Sequence, residues 1–481
     1  MVRDFRDTFL RMTKTRRASR WQSTNIWFYV CAGLVCLIAL TGGSARADTQ
    51  SLIALRPMAV LVFAAALATT DAATLRSAKG LLVLMALTLL LLAAHILPLP
   101  PAIWQALPQG DIYSRIDAVT GAGPSWRPFS LDPYLATNAF YSWFVPASVI
   151  LVAARAGASA QERLLTLVLI MGAISMVLGM IQVFGGRDSA FYLYRITNRL
   201  SAVGLLANRN HSALLLAMMF PLIAAWVRLA APDAARFRQL CGVGFAAMLI
   251  PAILATGSRA GIVLGIVGLA SVPFVAPRIF RPVMDLASRF KGRTRLFAGL
   301  GLAAAVIAFV VVTVVAIGLT QGNSLDRLIS GDDAEELRGP FWAVGWEMAK
   351  AYFPLGSGFG SFVQTFKMFE PHELLDVKYA NHAHNDWLEL FIEAGVPGVL
   401  LALGWAGWIA MKLLSAMRAT PLTREHVLAR AGGVAIVLMV MASFPDYPLR
   451  TPLIASLGAL CAFWLALPKF ASNPLGDLDR R

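Results

Sequence analysis

His382 and His384 stand in "NHAHNDWLELFIEAGVPG", residues 381–398, just ahead of an apolar run. Imidazole is the side chain that accepts a proton from an attacking hydroxyl at neutral pH, and Asn385 or an acid such as Glu389 is near enough in sequence to orient it. Two other readings use the same residues. His382 and His384 with His372, Glu373 or Asp376 would form a zinc set, but the four-ligand spacing is not evident, so no metal is assigned. A structural histidine at a wet boundary is the plainer reading, and for His382 the preferred one. The stretch "SGDDAEEL", with Asp332, Asp333, Glu335 and Glu336, has no second converging cluster and reads as a solvated acidic turn rather than a cation cage.

Arginines form the second group. Arg195, Arg199 and Arg209 lie in "YRITNRLSAVGLLANRNH", Arg259 in "TGSRAG", and Arg338 opens "RGPFWAVGWEMAKAYF". A planar, permanently charged fork binds phosphate oxygens in bidentate fashion, so guanidinium groups on one face of a protein suit an anionic ligand. The alternative is an arginine snorkelling beside lipid headgroups, preferred for Arg195 and Arg209. Gly257 and Gly261 flank Arg259 and permit close backbone approach there. After Arg338, the residues Phe341, Gly345, Met348 or Ala349 and Tyr352 share one helical face, which would let the segment lie along a membrane surface with Arg338 pointing inward.

The elements that must position these groups are membrane helices. The 481 residues are 58% hydrophobic and 14% charged, with mean hydropathy +0.65, outside the range of soluble domains. Runs such as "LLVLMALTLLLLAAHIL" and "LFAGLGLAAAVIAFVVVTVVAIGL" suit helices of the roughly 20 residues that cross a bilayer, and they lack the alternation of a β-barrel. The expected fold is all-α: a polytopic integral membrane protein with about twelve transmembrane helices, centred near residues 33, 61, 88, 145, 173, 219, 248, 268, 308, 400, 437 and 459, plus a large outward loop containing short helices. About 27 of the 42 Lys and Arg residues fall on the side of the basic N-terminus, which makes that side cytoplasmic. The same parity explains the net charge of +15 without a nucleic-acid partner. Residues 1–24 are then a basic cytoplasmic N-terminus, 25–320 helices one to nine, 321–387 the major outer loop, 388–467 helices ten to twelve, and 468–481 a cytoplasmic tail. The outer loop carries ten acidic and five basic residues, so it is expected to be a folded polar module rather than a tight turn. A second outer segment spans 98–136. Cys31, Cys36, Cys241 and Cys461 all fall within spans and imply no disulfide framework. Ala45-Arg46-Ala47 forms a site of the kind cut after a signal segment, with retention of that segment preferred.

The motifs carry a resemblance. His384-Asn385, nine residues, then Gly395-Val396-Pro397-Gly398 resembles the signature of the bacterial O-antigen ligase and polymerase family. "RGPFWAVGWEMAKAYFPLGSGFGSF", "NRLSAVGLLANRNHSA" and "TGSRAGIV" are similar to its Arg-Trp-glycine segment, its Arg loop with an Asn-x-Asn helix start, and its Ser-Arg turn. Asn208-Arg209-Asn210 departs from the family's usual Asn-Pro-Asn. The resemblance implies a metal-independent, cofactor-free, inverting glycosyltransferase of the bacterial inner membrane, its active site facing the periplasm. The donor it implies is an undecaprenyl diphosphate-linked glycan. The acceptor is lipid A core for a ligase, or a growing O-antigen or exopolysaccharide chain for a polymerase; ligase is taken first, and protein glycosylation is a more distant acceptor. It implies His384 as base and Arg199, Arg259 and Arg338 on the diphosphate, with Arg338 also catalytic. Asn385, His382, Glu389, Asn210 and Arg209 would support them. A transporter or flippase of lipid or polysaccharide is the rival class, since it too has many spans and intramembrane charge.

Overall fold

The computed structural model describes residues 26–277, 338–375 and 380–467, with the side chains of Ser77 and Arg338 outside that description. It is all-helical apart from a two-residue antiparallel pairing of Pro98–Leu99 with Arg127–Pro128. The main helices are α1 (Ile26–Thr41), α2 (Leu52–Thr69), α3 (Lys79–Ile96), α4 (Gly110–Thr120), α5 (Pro133–Ala156), α6 (Gln161–Phe184), α7 (Arg209–Arg228), α8 (Ala235–Ala255), α9 (Arg259–Ala270), α10 (Arg338–Ala351), α11 (Phe362–Phe369), α12 (Asp386–Arg418), α13 (Arg424–Ala442) and α14 (Pro452–Ala466).

Eight helices among the described residues are long and apolar enough to cross a membrane, and α1, α14 and the Arg259–Val275 segment are shorter apolar helices. Eleven of the expected span centres fall in these elements. The span centred near 308, the acidic turn at 332–336, Asp376 and the two basic termini lie outside the described residues. All four cysteines are free thiols, and Cys36 and Cys241 are exposed rather than packed.

Helix α7 is apolar all round and almost wholly buried, as a helix at the centre of a bundle must be. It packs between α9 and α13, while α2, α3, α8 and α12 expose Leu, Ile and Met toward the lipid side. Helix starts are set by short polar caps: Asn208 accepts from the Asn210 amide at 2.8 Å, Ser258 from Gly261 at 3.0 Å, and Asn385 from Trp387 and Leu388 at 3.1 Å. These three caps lie at one end of the bundle. Asn208 and Asn210 bond Asp446, in the loop after α13, and that loop also receives the Asp386 amide of α12. The start of α9 meets the start of α7, where Gly261 faces Ala213 too closely for a Cβ.

The described part of the 321–387 segment packs with the start of α12 around a small core of Val344, Met348, Ala349, Phe362, Phe366, Ala380, Ala383 and Ile392. The helical face read from Met348, Ala349 and Tyr352 is buried, but protein covers it: Gly345 lies against Leu388 and Ile392 of α12. The expectation that this face lies on the membrane is thereby corrected.

Pro397 and Gly395 explain how the module attaches. Gly395 holds φ 53° and ψ −147°, a conformation open to glycine, and breaks α12 there. The break frees backbone carbonyls one turn earlier. The glycine-rich turn "PLGSGFGSF" answers them, with the Ser357 amide on Ile392 O at 2.9 Å and the Gly358 amide on Glu393 O at 2.8 Å. The same turn reaches the other outer segment, where Phe359 donates to His95 Nδ1 at 3.0 Å and Ser130 Oγ donates to Phe359 O at 2.9 Å.

Candidate active site

His384 precedes the cap of α12 and adopts φ 50°, a left-handed conformation uncommon for any residue with a Cβ. Its neighbours hold it there. The Ala383 amide donates to Glu389 Oε2 at 2.8 Å, Ala383 O accepts from Trp342 Nε1 at 3.0 Å, Asn385 caps the helix, and the Asp386 amide donates to Ser443 O at 3.0 Å. Strain of this kind persists only where the surroundings over-determine it.

The imidazole so placed is 29% exposed, and its Nδ1 lies 3.3 Å from Oδ1 of Asp446, a carboxylate only 4% exposed. The other Asp446 oxygen accepts from Asn210 Nδ2 at 2.8 Å and Asn208 Nδ2 at 3.2 Å, with His211 Nε2 at 3.7 Å. Burial pushes the Asp446 carboxyl up, but His211, His384 and the Asn210 amide outweigh it and hold the group well below the ordinary carboxylate range. An ionised, immobile Asp446 orients His384 through Nδ1 and leaves Nε2 as the nitrogen that can take a proton.

Tyr447 packs among three imidazoles: ring centroids lie 4.2 Å from His382, 4.9 Å from His384 and 5.3 Å from His211. Burial, and secondly Asp446, push its hydroxyl well above its ordinary pKa, so it stays a neutral phenol and serves as a spacer.

A second polar group adjoins this one. Glu389 Oε1 takes His382 Nδ1 at 2.8 Å and Arg450 Nη2 at 3.2 Å, and the same guanidinium reaches Glu393 at 3.0 Å and Asp386 at 3.7 Å. Burial lowers the His382 pKa more than Glu389 raises it, and Arg450 and His384 add to the lowering. Glu389 was expected to orient His384; it holds His382 instead, and the acid facing His384 is Asp446. Of the residues weighed for zinc, His372 and Glu373 sit exposed on a separate short turn, and Asp376 lies outside the described residues.

The arginines are distributed as follows. Arg209 and Arg259 occupy the first positions of α7 and α9, the former buried and the latter exposed, and Arg338 opens α10. Trp342 is one turn, about 6 Å, from that start and bonds Ala383, so α10 begins beside the His384 loop. Arg199 donates to Arg187 O at 2.8 Å and lies 5.5 Å from the Tyr192 ring, contacts confined to its own loop. The structure thus gathers His384, Asn385, His382, Glu389 and Asn210, and it adds Asp446, His211, Tyr447 and Arg450, which the sequence reading did not select. One signal for them was present: "FPDYPLR" sits in an outward connection and contains an arginine, the criterion already applied to Arg259.

Fold and site together define an integral membrane protein with a partly exposed histidine set by a buried aspartate at one end of its helical bundle. Residues 243–403, about a third of the chain, match the family described as O-antigen ligase, which supports the resemblance to the O-antigen ligase and polymerase family and, with it, a glycosyltransferase-like role toward lipid-linked glycans. No curated protein matched the chain.

Proposed function

We propose that the protein transfers a glycan from undecaprenyl diphosphate to an acceptor hydroxyl on the periplasmic face of the bacterial inner membrane. The observation that carries this reading is the partly exposed His384 imidazole set by buried Asp446, at the end of the bundle where helix starts bear arginine. A cation at a helix N-terminus opposes the macrodipole by about 0.3–1 kcal/mol. Arg209, Arg259 and Arg338 all take such positions, and an anionic ligand reverses that sign by meeting both guanidinium and helix amides.

In the reaction, the acceptor oxygen attacks the anomeric carbon and passes its proton to His384 Nε2 as the bond to the diphosphate breaks. Inversion follows from this single displacement. The electron pair departs with the diphosphate, whose growing charge Arg259 and Arg338 meet, with Arg199 and Arg209 at its margin. Diphosphate leaves readily, so the step requires neither a general acid nor a metal. Asn385 and Asn210 hold the frame, and His382 and Glu389 fix the loop.

Lipid A core is the acceptor of first choice, which makes the protein a ligase; a repeat-unit polymerase uses the same donor chemistry. The test is purified protein in liposomes with lipid-linked glycan and either lipid A core or further repeat units. Product on one acceptor, insensitive to chelator and lost in His384→Ala while donor lipid is retained, supports the reading. Movement of intact donor across the bilayer without product supports a flippase instead.

A further inference from the structure

Arg56 is the single charged residue of α2. Its Nε donates to Ser142 Oγ at 3.0 Å and its Nη1 to Asn138 Oδ1 at 2.8 Å, both on α5. Both helices begin at the end of the bundle that holds His384: Ser51, before α2, bonds the end of α1, and Ser130, before α5, bonds the glycine-rich turn. Arg56 therefore lies one turn, about 6 Å, below that end. The deeper Ser142 takes Nε and the shallower Asn138 takes Nη1, so the terminal nitrogens point back toward the near surface.

Among the described residues no carboxylate pairs with this guanidinium. Its two partners are neutral, and a charge among apolar helices keeps such a position only when something compensates it. A second, independent observation identifies the missing group. Asn138 presents Oδ1 to the arginine, which leaves its Nδ2 buried without an acceptor. An amide and a guanidinium side by side, both with donors to spare, call for one anionic oxygen acceptor. The surroundings are lipidic: Tyr134 and Tyr141 on the same part of α5 are 72% and 45% exposed, and Ile53 on α2 is 78% exposed. Exposed tyrosines at this depth are the usual company of headgroups.

We infer that Arg56 and Asn138 form a binding site for a lipid-borne phosphate, its acyl or prenyl chain running along exposed apolar residues of α2 such as Met58 and Leu61. The site shares no residue with the His384 group and does not depend on the reaction proposed above. The test uses delipidated protein in an uncharged detergent, titrated with phosphatidylglycerol, undecaprenyl phosphate or diacylglycerol while the unfolding midpoint is followed.

The phosphate-bearing lipid raises the midpoint and diacylglycerol does not. Arg56→Gln and Asn138→Ala each weaken the apparent affinity about tenfold, the loss of one charge-assisted hydrogen bond. Asn138→Ala keeps the cation, so it reports on the site even where Arg56→Gln folds poorly. A response to phosphatidylglycerol assigns the site to bilayer lipid, and a response confined to undecaprenyl phosphate assigns it to a prenyl carrier. Equal effects of all three lipids, or wild-type titrations in both variants, overturn the inference. Glycan transfer is not the readout, so either result stands apart from the proposed reaction.

Discussion

His384 and Asp446 are 62 residues apart in sequence and face each other at 3.3 Å, one on the loop that enters α12 and the other on the loop that leaves α13. His384 is held by the cap of α12 and Asp446 by two asparagines at the start of α7, and the Asp386 amide ties the two loops together.

Replacing His384 by Ala is expected to lower glycan transfer about 10²- to 10⁴-fold, the usual contribution of a general base. Asp446→Asn keeps the shape and removes the charge behind Nδ1, and a lost hydrogen bond to a charged group corresponds to roughly 10–100-fold in rate. Initial rates in proteoliposomes measure both. An Asp446→Asn rate within threefold of wild type removes the carboxylate from the argument.

The left-handed backbone at His384 gives a test separate from chemistry. Glycine relieves the steric penalty of that conformation and alanine does not, so His384→Gly should be more stable than His384→Ala by about 1 kcal/mol. Both variants lack the imidazole and both should be inactive. Thermal unfolding of the pair decides the point, and an Ala variant as stable as the Gly variant contradicts the strain.

Gly395→Ala is expected to be the most damaging small change near the site. A Cβ there would collide with Pro354 O and Leu355 C, and the backbone is one that side chains avoid. The conformational term alone costs about 1–3 kcal/mol, and the contact detaches the glycine-rich turn. Limited proteolysis within 354–361 should accelerate in this variant. A cleavage rate equal to wild type would show that the turn docks without the kink.

His382 yields a pH dependence. Burial first, and then Arg450 and His384, bring its folded pKa below the ordinary value of about 6.5. As pH falls the unfolded chain binds that proton first, so stability is complete above about pH 6.5 and declines in the window beneath it. Asp446, shifted the other way relative to its charged form, enters only below about pH 4. Between pH 7 and pH 5 the unfolding midpoint of the wild type should fall relative to that of His382→Asn, the gap between the two widening as the pH drops. Equal slopes remove His382 as the source.

The sequence made the helices legible because long apolar runs leave the backbone one way to satisfy itself in lipid. It also marked Asn208 through the Asn-x-Asn helix start, Arg259 through its flanking glycines and Asn385 through its place beside His384, all signals carried by neighbouring residues. The partner of His384 was not legible: Asp446 reaches it only after α12 and α13 fold back antiparallel, and no spacing within "FPDYPLR" encodes that return. Glu389, five residues beyond His384 in sequence, was chosen on nearness along the chain, whereas its helical position turns it toward His382 and Arg450. The face of α10 was read correctly as apolar, but its cover was not, because one stripe of Met, Ala and Tyr fits lipid and protein alike.

Because "PLGSGFGSF" bonds α12 on one side and His95 and Ser130 on the other, the two outer segments are tied by a shared hinge pin rather than being free appendages. Exchanging residues 98–136 with those of a relative would therefore disturb the helix that carries His384 unless 354–361 travelled with them. The segment 98–136 and the alignment of His384 are mechanically coupled, and a change in one is constrained by the other.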